Sequence, residues 1–115
     1  MSDLRDRTKR FALNVVHFCK TLPDTAECRV IRDQLLRSAT SVGANYRAAC
    51  HARSRKDFIA KLALVEEEAD ESQFWLELLD ELDIGASDAG TELRNEAHQL
   101  ASMIVASKKT ARKNR

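Results

Sequence analysis

The sequence has few of the residues that break helices or favour strands. It contains three glycines and one proline in 115 residues, and aromatic residues make up only 5% of the chain. A fold of many short strands joined by turns needs more of both kinds of residue. Alanine, leucine, glutamate and arginine are abundant instead, and all four favour helix. The composition therefore predicts an all-α protein, in which 43% apolar residues form a core and 32% charged residues cover it.

Membrane and metal-binding classes of protein lack their usual signals here. No run of about 18 apolar residues is present, and the charged first ten residues do not resemble a signal peptide. We therefore expect a cytoplasmic protein with no membrane partner. Cys19, Cys28 and Cys50 are widely spaced, and no cysteine–histidine spacing matches a zinc site. We expect buried, reduced thiols, no metal and no cofactor.

No group of residues predicts catalysis either. Cys50 and His51 are adjacent, but successive helical side chains point about 100° apart and cannot act as a nucleophile–base pair. The acidic residues between Glu66 and Glu71 lack the Glu-x-x-His pattern of di-metal bundles, which favours a solvated or ion-paired face. We expect no enzyme activity, and no small-molecule substrate is indicated.

Hydrophobic periodicity predicts four helices, at residues 4–22, 27–53, 55–82 and 91–107, with about four residues of uncertainty at each end. Pro23 ends the first helix, and Ser54 with Asp57 forms a capping pattern that begins the third. In each helix, apolar or small residues recur at steps of mostly three and four, which places them on one face. These core-facing seams are Leu4, Phe11, Val15, Phe18 and Leu22; Ile31, Leu35, Ser38, Val42, Asn45 and Ala49; Phe58, Leu62, Val65, Ala69, Ser72, Leu76 and Leu79; and Leu93, Ala97, Leu100 and Ile104.

The seams predict an antiparallel up-and-down four-helix bundle, formed by a single domain of residues 1–107 and followed by a frayed basic tail at 108–115. Gly43 costs roughly 1 kcal/mol relative to alanine inside a helix, so we expect a neighbouring helix to approach closely there. Asn45 interrupts the apolar seam. It either hydrogen-bonds across the bundle and fixes its register, or faces solvent at the edge of the seam.

Charge is distributed unevenly along the chain. Residues 1–56 carry 12 basic and 5 acidic residues, residues 57–107 carry 2 and 13, and the last eight residues carry five basic ones. Helices of opposite sign can neutralise each other where they pack side by side, so a basic cluster binds nucleic acid only if acidic neighbours leave it free. The candidate nucleic-acid-binding residues are Arg47, Arg53, Arg55, Lys56, Lys108, Lys109, Arg112 and Lys113.

The third helix has more apolar residues than its core seam uses. At about 100° per residue, Trp75, Leu78 and Leu82 lie well to the side of the seam, and Phe74 lies almost opposite it. If exposed, these side chains form the kind of patch that marks an interaction site, unless the first helix or the loop at Ile84 covers them. We expect self-association through Phe74, Trp75, Leu78 and Leu82.

Two short blocks of the sequence, Ser41 to Tyr46 and Arg53 to Leu62, resemble the central signature of a bacterial family. It is the family of four-helix-bundle proteins found in intervening sequences of 23S ribosomal RNA genes, and the likeness covers roughly residues 8–107. The sequence departs from the family pattern in two places. Gly43 stands where the family has proline, and the Ala48–Ala49 pair stands where it has Glu-Gly.

The resemblance implies an up-and-down bundle that assembles as a homo-oligomeric ring, typically a pentamer. It also implies a similarity to the accessory protein of diversity-generating retroelements, which binds nucleic acid together with a reverse transcriptase. Most members of the family have no established activity. Two hypotheses therefore follow: a non-catalytic homo-oligomeric scaffold or binding protein, or an accessory factor that contacts the backbone of RNA or DNA through its basic residues.

Overall fold

The computed structural model describes residues 3–114, and helix accounts for 85% of them. The chain forms four helices, α1 (Leu4–Cys19), α2 (Ala26–Cys50), α3 (Arg55–Glu81) and α4 (Ser87–Lys113). Each helix packs against the next and α4 packs against α1, so that among the described residues α1 and α3 lie on one diagonal and α2 and α4 on the other. The bundle measures 50 × 21 × 20 Å. The predicted fold, an up-and-down four-helix bundle, is confirmed.

Side chains cap the starts of three helices, as the sequence predicts for Ser54 at the start of α3. Asp3, Thr25 and Ser54 each accept a hydrogen bond from a backbone N–H in the first turn of the helix that follows. Asp57 in turn accepts a bond from the backbone N–H of Arg53, which completes the capping pattern at the start of α3. These bonds satisfy donors that a helix start otherwise leaves without a partner.

The fourth helix differs most from its predicted bounds. It begins at Ser87, so Gly90 lies in its first turns and not in the connecting loop. It continues to Lys113, so the prediction of a frayed basic segment after residue 107 is wrong. Lys108 Nζ lies 2.6 Å from Glu66 Oε1 on α3, and this ion pair holds the extension against the bundle. The sequence signal for the extension is the absence of glycine and proline after residue 107.

The predicted seams form the core, and all their members except Leu4, Asn45 and Phe58 are buried. The Asn45 side chain makes no hydrogen bond to another described residue. Of the two alternatives, this favours a position at the edge of the seam over a hydrogen bond that fixes the register of the bundle. The polar contact inside the core is instead between Ser38 on α2 and Ser72 on α3, whose hydroxyl oxygens lie 2.9 Å apart.

The first helix approaches α2 closely at Gly43, as predicted. A Cβ atom at this position would lie 3.3 Å from the Thr8 carbonyl oxygen and 3.6 Å from Lys9 Cα. The first helix has 16 residues against 25 to 27 in the others, so α2, α3 and α4 extend beyond its N-terminus. We call this region, where α2 and α4 end and α3 begins, the basic end.

Candidate interaction surfaces

The apolar residues predicted to lie off the core seam of α3 are grouped on its outer surface. Phe74 and Leu82 are 50% and 53% exposed, whereas Trp75 and Leu78 are half-buried and pack against the edge of the core. The rings of Phe74 and Trp75 meet edge to face, with centroids 4.9 Å apart. Neither α1 nor the loop at Ile84 covers Phe74 or Leu82. We call these four residues the α3 patch.

Glu71 fixes the edge of the α3 patch that faces α2. Its Oε2 atom accepts a hydrogen bond from Trp75 Nε1 at 3.0 Å and is also bound by the guanidinium of Arg37. Arg37 reaches Glu68 as well, at 3.0 Å. A partly buried indole N–H needs such a partner, so the network holds the Trp75 ring in one orientation. Val30, 62% exposed and two turns before Arg37, lies on the same side of α2 and extends the apolar area.

A groove opens between α1 and α4, on the face opposite the α2–α3 side of the bundle. The helices are joined where Arg7 binds Glu96, with an N–O distance of 2.6 Å, and Gln99 at 3.2 Å. The hydrogen bond to Glu96 raises the pKa of Arg7. Beyond it lies a groove of about 660 Å³. Its floor is Phe11, Phe18, Ala89 and Leu93, and its rim includes Arg10, Asn14, His17, Thr21 and Glu92.

Sequence reasoning did not predict this groove. Periodicity identifies the face that each helix turns to the core, but it does not say how closely two particular helices pack. The first and fourth helices are the least closely packed of the neighbouring pairs. A sequence signal was present in part, because small residues at Ala86 and Ala89 leave room beside the large rings of Phe11 and Phe18.

The basic end brings together residues from three helices. Arg47, Arg53, Arg55 and Lys56 are exposed, and among the described residues none of their charged groups forms an ion pair with an acidic side chain. Arg55 and Lys56 share an open depression with Arg112 of α4. The end of α4 therefore adds to the cluster that the sequence predicts at the α2–α3 junction.

The acidic side chains of α3 are engaged elsewhere. Glu66 is paired with Lys108, and Glu68 and Glu71 are bound by Arg37. Asp57, the acidic residue within the basic end, accepts a hydrogen bond from Lys61 at 2.6 Å, and this bond lowers the pKa of Asp57. Lys108 is thus the predicted nucleic-acid-binding residue that is committed to another contact, whereas Lys109, Arg112 and Lys113 are exposed.

The cysteines do not share one environment. Cys19 and Cys28 are buried, and burial raises the pKa of Cys19 to about 11. Cys50 is exposed, so the prediction of a buried thiol is wrong at this position. The reason is that Cys50 ends α2 beyond the region that α1 covers. Within residues 3–114, no group of three or more His, Cys, Asp or Glu residues is arranged to hold a metal ion.

The described residues thus define a helical bundle whose distinguishing features are surfaces: an apolar patch, a groove and a basic end. None of its helices in residues 3–114 is long and apolar enough to cross a membrane. The chain belongs to the family of 23S rRNA-intervening sequence proteins, whose family model matches residues 2–106. The resemblance stated from the two sequence blocks is therefore confirmed.

The fold is similar to that of a solved structure. It is a protein of unknown function from the S23 ribosomal protein family of Bacteroides thetaiotaomicron VPI-5482, and it is 34% identical to this chain. The two structures superpose with a TM-score of 0.86 over 93% of this chain and 99% of that chain. No curated protein matches the chain. Neither the family description nor this relative indicates a catalytic activity.

Proposed function

We propose that the protein is a non-catalytic, homo-oligomeric scaffold or binding protein of the cytoplasm. The observation that carries the proposal is the α3 patch, in which Phe74 and Leu82 are half-exposed beside the fixed Trp75 ring. Aromatic side chains held rigidly at a surface supply most of the binding energy of many interfaces, because little conformational entropy is lost when they are covered. The family resemblance supplies the expected subunit number, five.

Light scattering coupled to size exclusion tests the proposal. A pentamer of 13.0-kDa subunits has a mass of about 65 kDa. Phe74→Glu or Leu78→Glu is expected to dissociate it to single subunits, because an unpaired carboxylate is costly to bury. Leu64→Glu is the matched control, since Leu64 is 47% exposed on the same helix but ten residues from Phe74. A wild-type mass of 13 kDa at micromolar concentration would refute self-association.

A second candidate function is binding of nucleic acid through its phosphate backbone. The observation that favours it is the basic end, where the charged groups of Arg47, Arg53, Arg55 and Lys56 form no ion pair among the described residues. In a ring, each basic end is repeated by symmetry, and several weak contacts add through avidity. The basic cluster contains almost no aromatic residue beyond Tyr46, and this scarcity favours contact with the phosphate backbone over base stacking.

Fluorescence anisotropy with labelled RNA and DNA tests this candidate. Binding is expected to fall steeply between low and moderate salt, because phosphate contacts release counterions. The Arg53/Arg55/Lys56 triple-Ala variant is expected to bind more weakly to both nucleic acids. A Lys20/Arg29/Arg32 triple-Ala variant removes the same charge at the other end of the molecule and controls for net charge. If the wild type and the first variant both fail to bind at low salt, the scaffold function alone remains.

A further inference from the structure

The side of the bundle formed by α1 and α2 has a shallow hollow with apolar walls. Val16 and Leu36, both half-buried, line a space of about 350 Å³, and the charged Lys20 and Arg32 line it as well. We call it the α1–α2 hollow. The α2–α3 side, next to which the α3 patch lies, is the neighbouring side of the bundle, because α2 belongs to both. The hollow and the patch therefore lie on adjacent sides of the subunit.

The two surfaces also lie at the same height along α2. Ser38 of α2 is bonded to Ser72 of α3. At a rise of about 1.5 Å per residue in antiparallel helices, residues 74–82 of α3 are level with roughly residues 28–36 of α2. The α2 residues of the hollow, Arg32 and Leu36, fall within this range. The patch of a neighbouring copy therefore reaches the hollow without a shift along the bundle axis.

The α1–α2 side and the outer surface of α3 carry opposite charge. The α1–α2 side has five basic residues and two acidic ones: Arg5, Lys9, Lys20, Arg32 and Arg47 against Asp6 and Asp33. The outer surface of α3 has four exposed acidic residues with no ion pair among the described residues: Glu67, Asp70, Glu77 and Glu81. Because α1 and α3 lie on a diagonal, these charges cannot meet within one subunit.

Two lysines of α1 and the segment just after it lie level with the acidic residues of α3. The Lys9 backbone lies beside Gly43, which is level with roughly residue 67 of α3, within a turn of Asp70. Lys20 lies at the hollow, level with roughly residue 78 of α3 and so with Glu77. Both lysines are exposed, and neither forms an ion pair among the described residues. Their charges are therefore available to a second subunit.

We infer that the α3 patch of one subunit docks on the α1–α2 hollow of a second copy of this chain. The inference rests on the self-association proposed above and specifies which surfaces meet. Contact between two α3 patches would bring two acidic helices together, which electrostatic repulsion disfavours. The α1–α4 groove has Arg10 against Glu92 and offers no such match of charge. Contact between patch and hollow brings the acidic α3 of one copy to the basic α1–α2 side of the next.

The positions of the two surfaces fit a closed ring. Because the surfaces are different, the contact is head-to-tail. The outward directions of adjacent sides of a four-helix bundle differ by about 90°, and Phe74, almost opposite the α3 seam, turns the patch towards the outer corner of α3, about 135° from the α1–α2 side. A ring of five copies needs two contact directions about 108° apart, which lies between these values.

Reversal of the matched charges tests which surfaces meet. Lys9→Glu/Lys20→Glu is expected to give single subunits under conditions in which the wild type assembles, because it places carboxylates opposite carboxylates. Asp70→Lys/Glu77→Lys is expected to do the same by placing lysines opposite lysines. The variant with all four substitutions has the net charge of the wild type and opposite charges at both positions, so it is expected to regain the wild-type mass in light scattering. Circular dichroism confirms that each variant folds.

Arg10→Glu/Lys109→Glu is the matched control for net charge. It makes the same change in charge as the lysine variant, but Arg10 lies on the α1–α4 groove and Lys109 is exposed on α4. This control is expected to assemble as the wild type does. A lysine variant that assembles like an oligomeric wild type would overturn the inference, as would a fourfold variant that stays a single subunit.

Mixing the lysine variant with Phe74→Glu tests the head-to-tail geometry. The lysine variant keeps an intact patch and Phe74→Glu keeps an intact hollow, so one contact forms and neither free end continues the ring. The expected product is a heterodimer of about 26 kDa, twice the 13.0-kDa subunit. Failure of the mixture to form it would overturn the inference. A wild type that is itself a single subunit would instead overturn the proposed self-association.

Discussion

Leu62 and Leu64 lie two residues apart on α3, yet one is fully buried and the other is 47% exposed. The difference follows from the helical period, which places Leu62 in the seam with Val65 and Ala69 and turns Leu64 by about 200° away from it. This feature could be predicted from the sequence, because seven seam positions on α3 recur at steps of three and four. The degree of exposure of Leu64 could not, because it depends on how α2 packs beside it.

Replacement of these two leucines with alanine is expected to have unequal effects on stability. Leu62→Ala leaves a cavity in the core and should lower the free energy of unfolding by about 2–5 kcal/mol. Leu64→Ala should lower it by less than about 1 kcal/mol, since the side chain is already half in water. Urea unfolding of both variants measures the difference. Equal losses would contradict the assignment of the core face of α3.

The three thiols are expected to differ in reactivity. Cys50 is exposed at the end of α2, whereas Cys19 is buried and its pKa is raised to about 11. Since the thiolate is the reactive form, Cys19 should not react with a disulfide reagent at neutral pH until the protein unfolds. Titration of the native protein should therefore give one fast thiol per subunit, and Cys50→Ser should remove it. If the Cys50→Ser variant still shows a fast-reacting thiol, that thiol is Cys19 or Cys28, and the result would contradict their burial.

At the scale of a helix, α3 is ended by a turn at Asp83, a residue that sequence rules do not identify as a helix end. Ile84 N donates to Leu79 O at 2.8 Å and Asp83 N donates to Asp80 O at 3.1 Å, the two bonds of a Schellman motif. Asp83 has a φ of 55°, in the left-handed region that favours glycine. Gly85 is the residue that sequence rules select as the end signal here, but it lies two positions further on and has its own positive φ of 85°.

Asp83→Gly is therefore expected to stabilise the protein by up to about 1 kcal/mol, because glycine adopts the left-handed conformation without steric cost. Asp88→Gly makes the same change in the first turn of α4 and should destabilise by a few tenths to about 1 kcal/mol, because glycine is less favourable than aspartate within a helix and the stabilising carboxylate near the helix N-terminus is lost. The midpoints of urea unfolding of the two variants should move in opposite directions. A decrease for both would contradict the left-handed turn at Asp83.

The start of α3 should depend on pH through Asp57. Hydrogen bonds from Lys61 and from the backbone of Arg53 lower the pKa of Asp57 from its ordinary value of 3.8. A lowered pKa means that the carboxylate stabilises the folded state above pH 3.8 and that this contribution is lost as the pH falls through the folded-state value. Asp57→Asn should therefore unfold more easily than the wild type at pH 7. The difference in stability between the two proteins should narrow at acid pH, where Asp57 is protonated. A difference that stays constant from pH 7 to pH 2 would contradict a lowered pKa of Asp57.

At the scale of the whole molecule, the sequence predicts the bundle better than its surfaces. Seam periodicity predicts the order of the helices and the core residues, and between Phe11 and Ile104 all the predicted core residues except Asn45 and Phe58 are buried. The extension of α4 past residue 107, the groove beside Phe18 and the pairing of Glu66 with Lys108 were not predicted. Each of these depends on distances between helices far apart in the sequence, which local patterns do not contain.

Assembly should also be visible in the stability of the whole molecule. Unfolding of an oligomer is coupled to its dissociation, so the midpoint of thermal unfolding rises with protein concentration, whereas that of a single subunit does not. The wild type is therefore expected to show a concentration-dependent Tm. Phe74→Glu should have a lower Tm that is the same at every concentration, because its subunit core, including Leu76 and Leu79, is intact while its α3 patch is not. Leu64→Glu should retain the concentration dependence. A wild-type Tm that is constant over a hundredfold range of concentration would mean that the exposed Phe74 and Leu82 side chains do not hold subunits together.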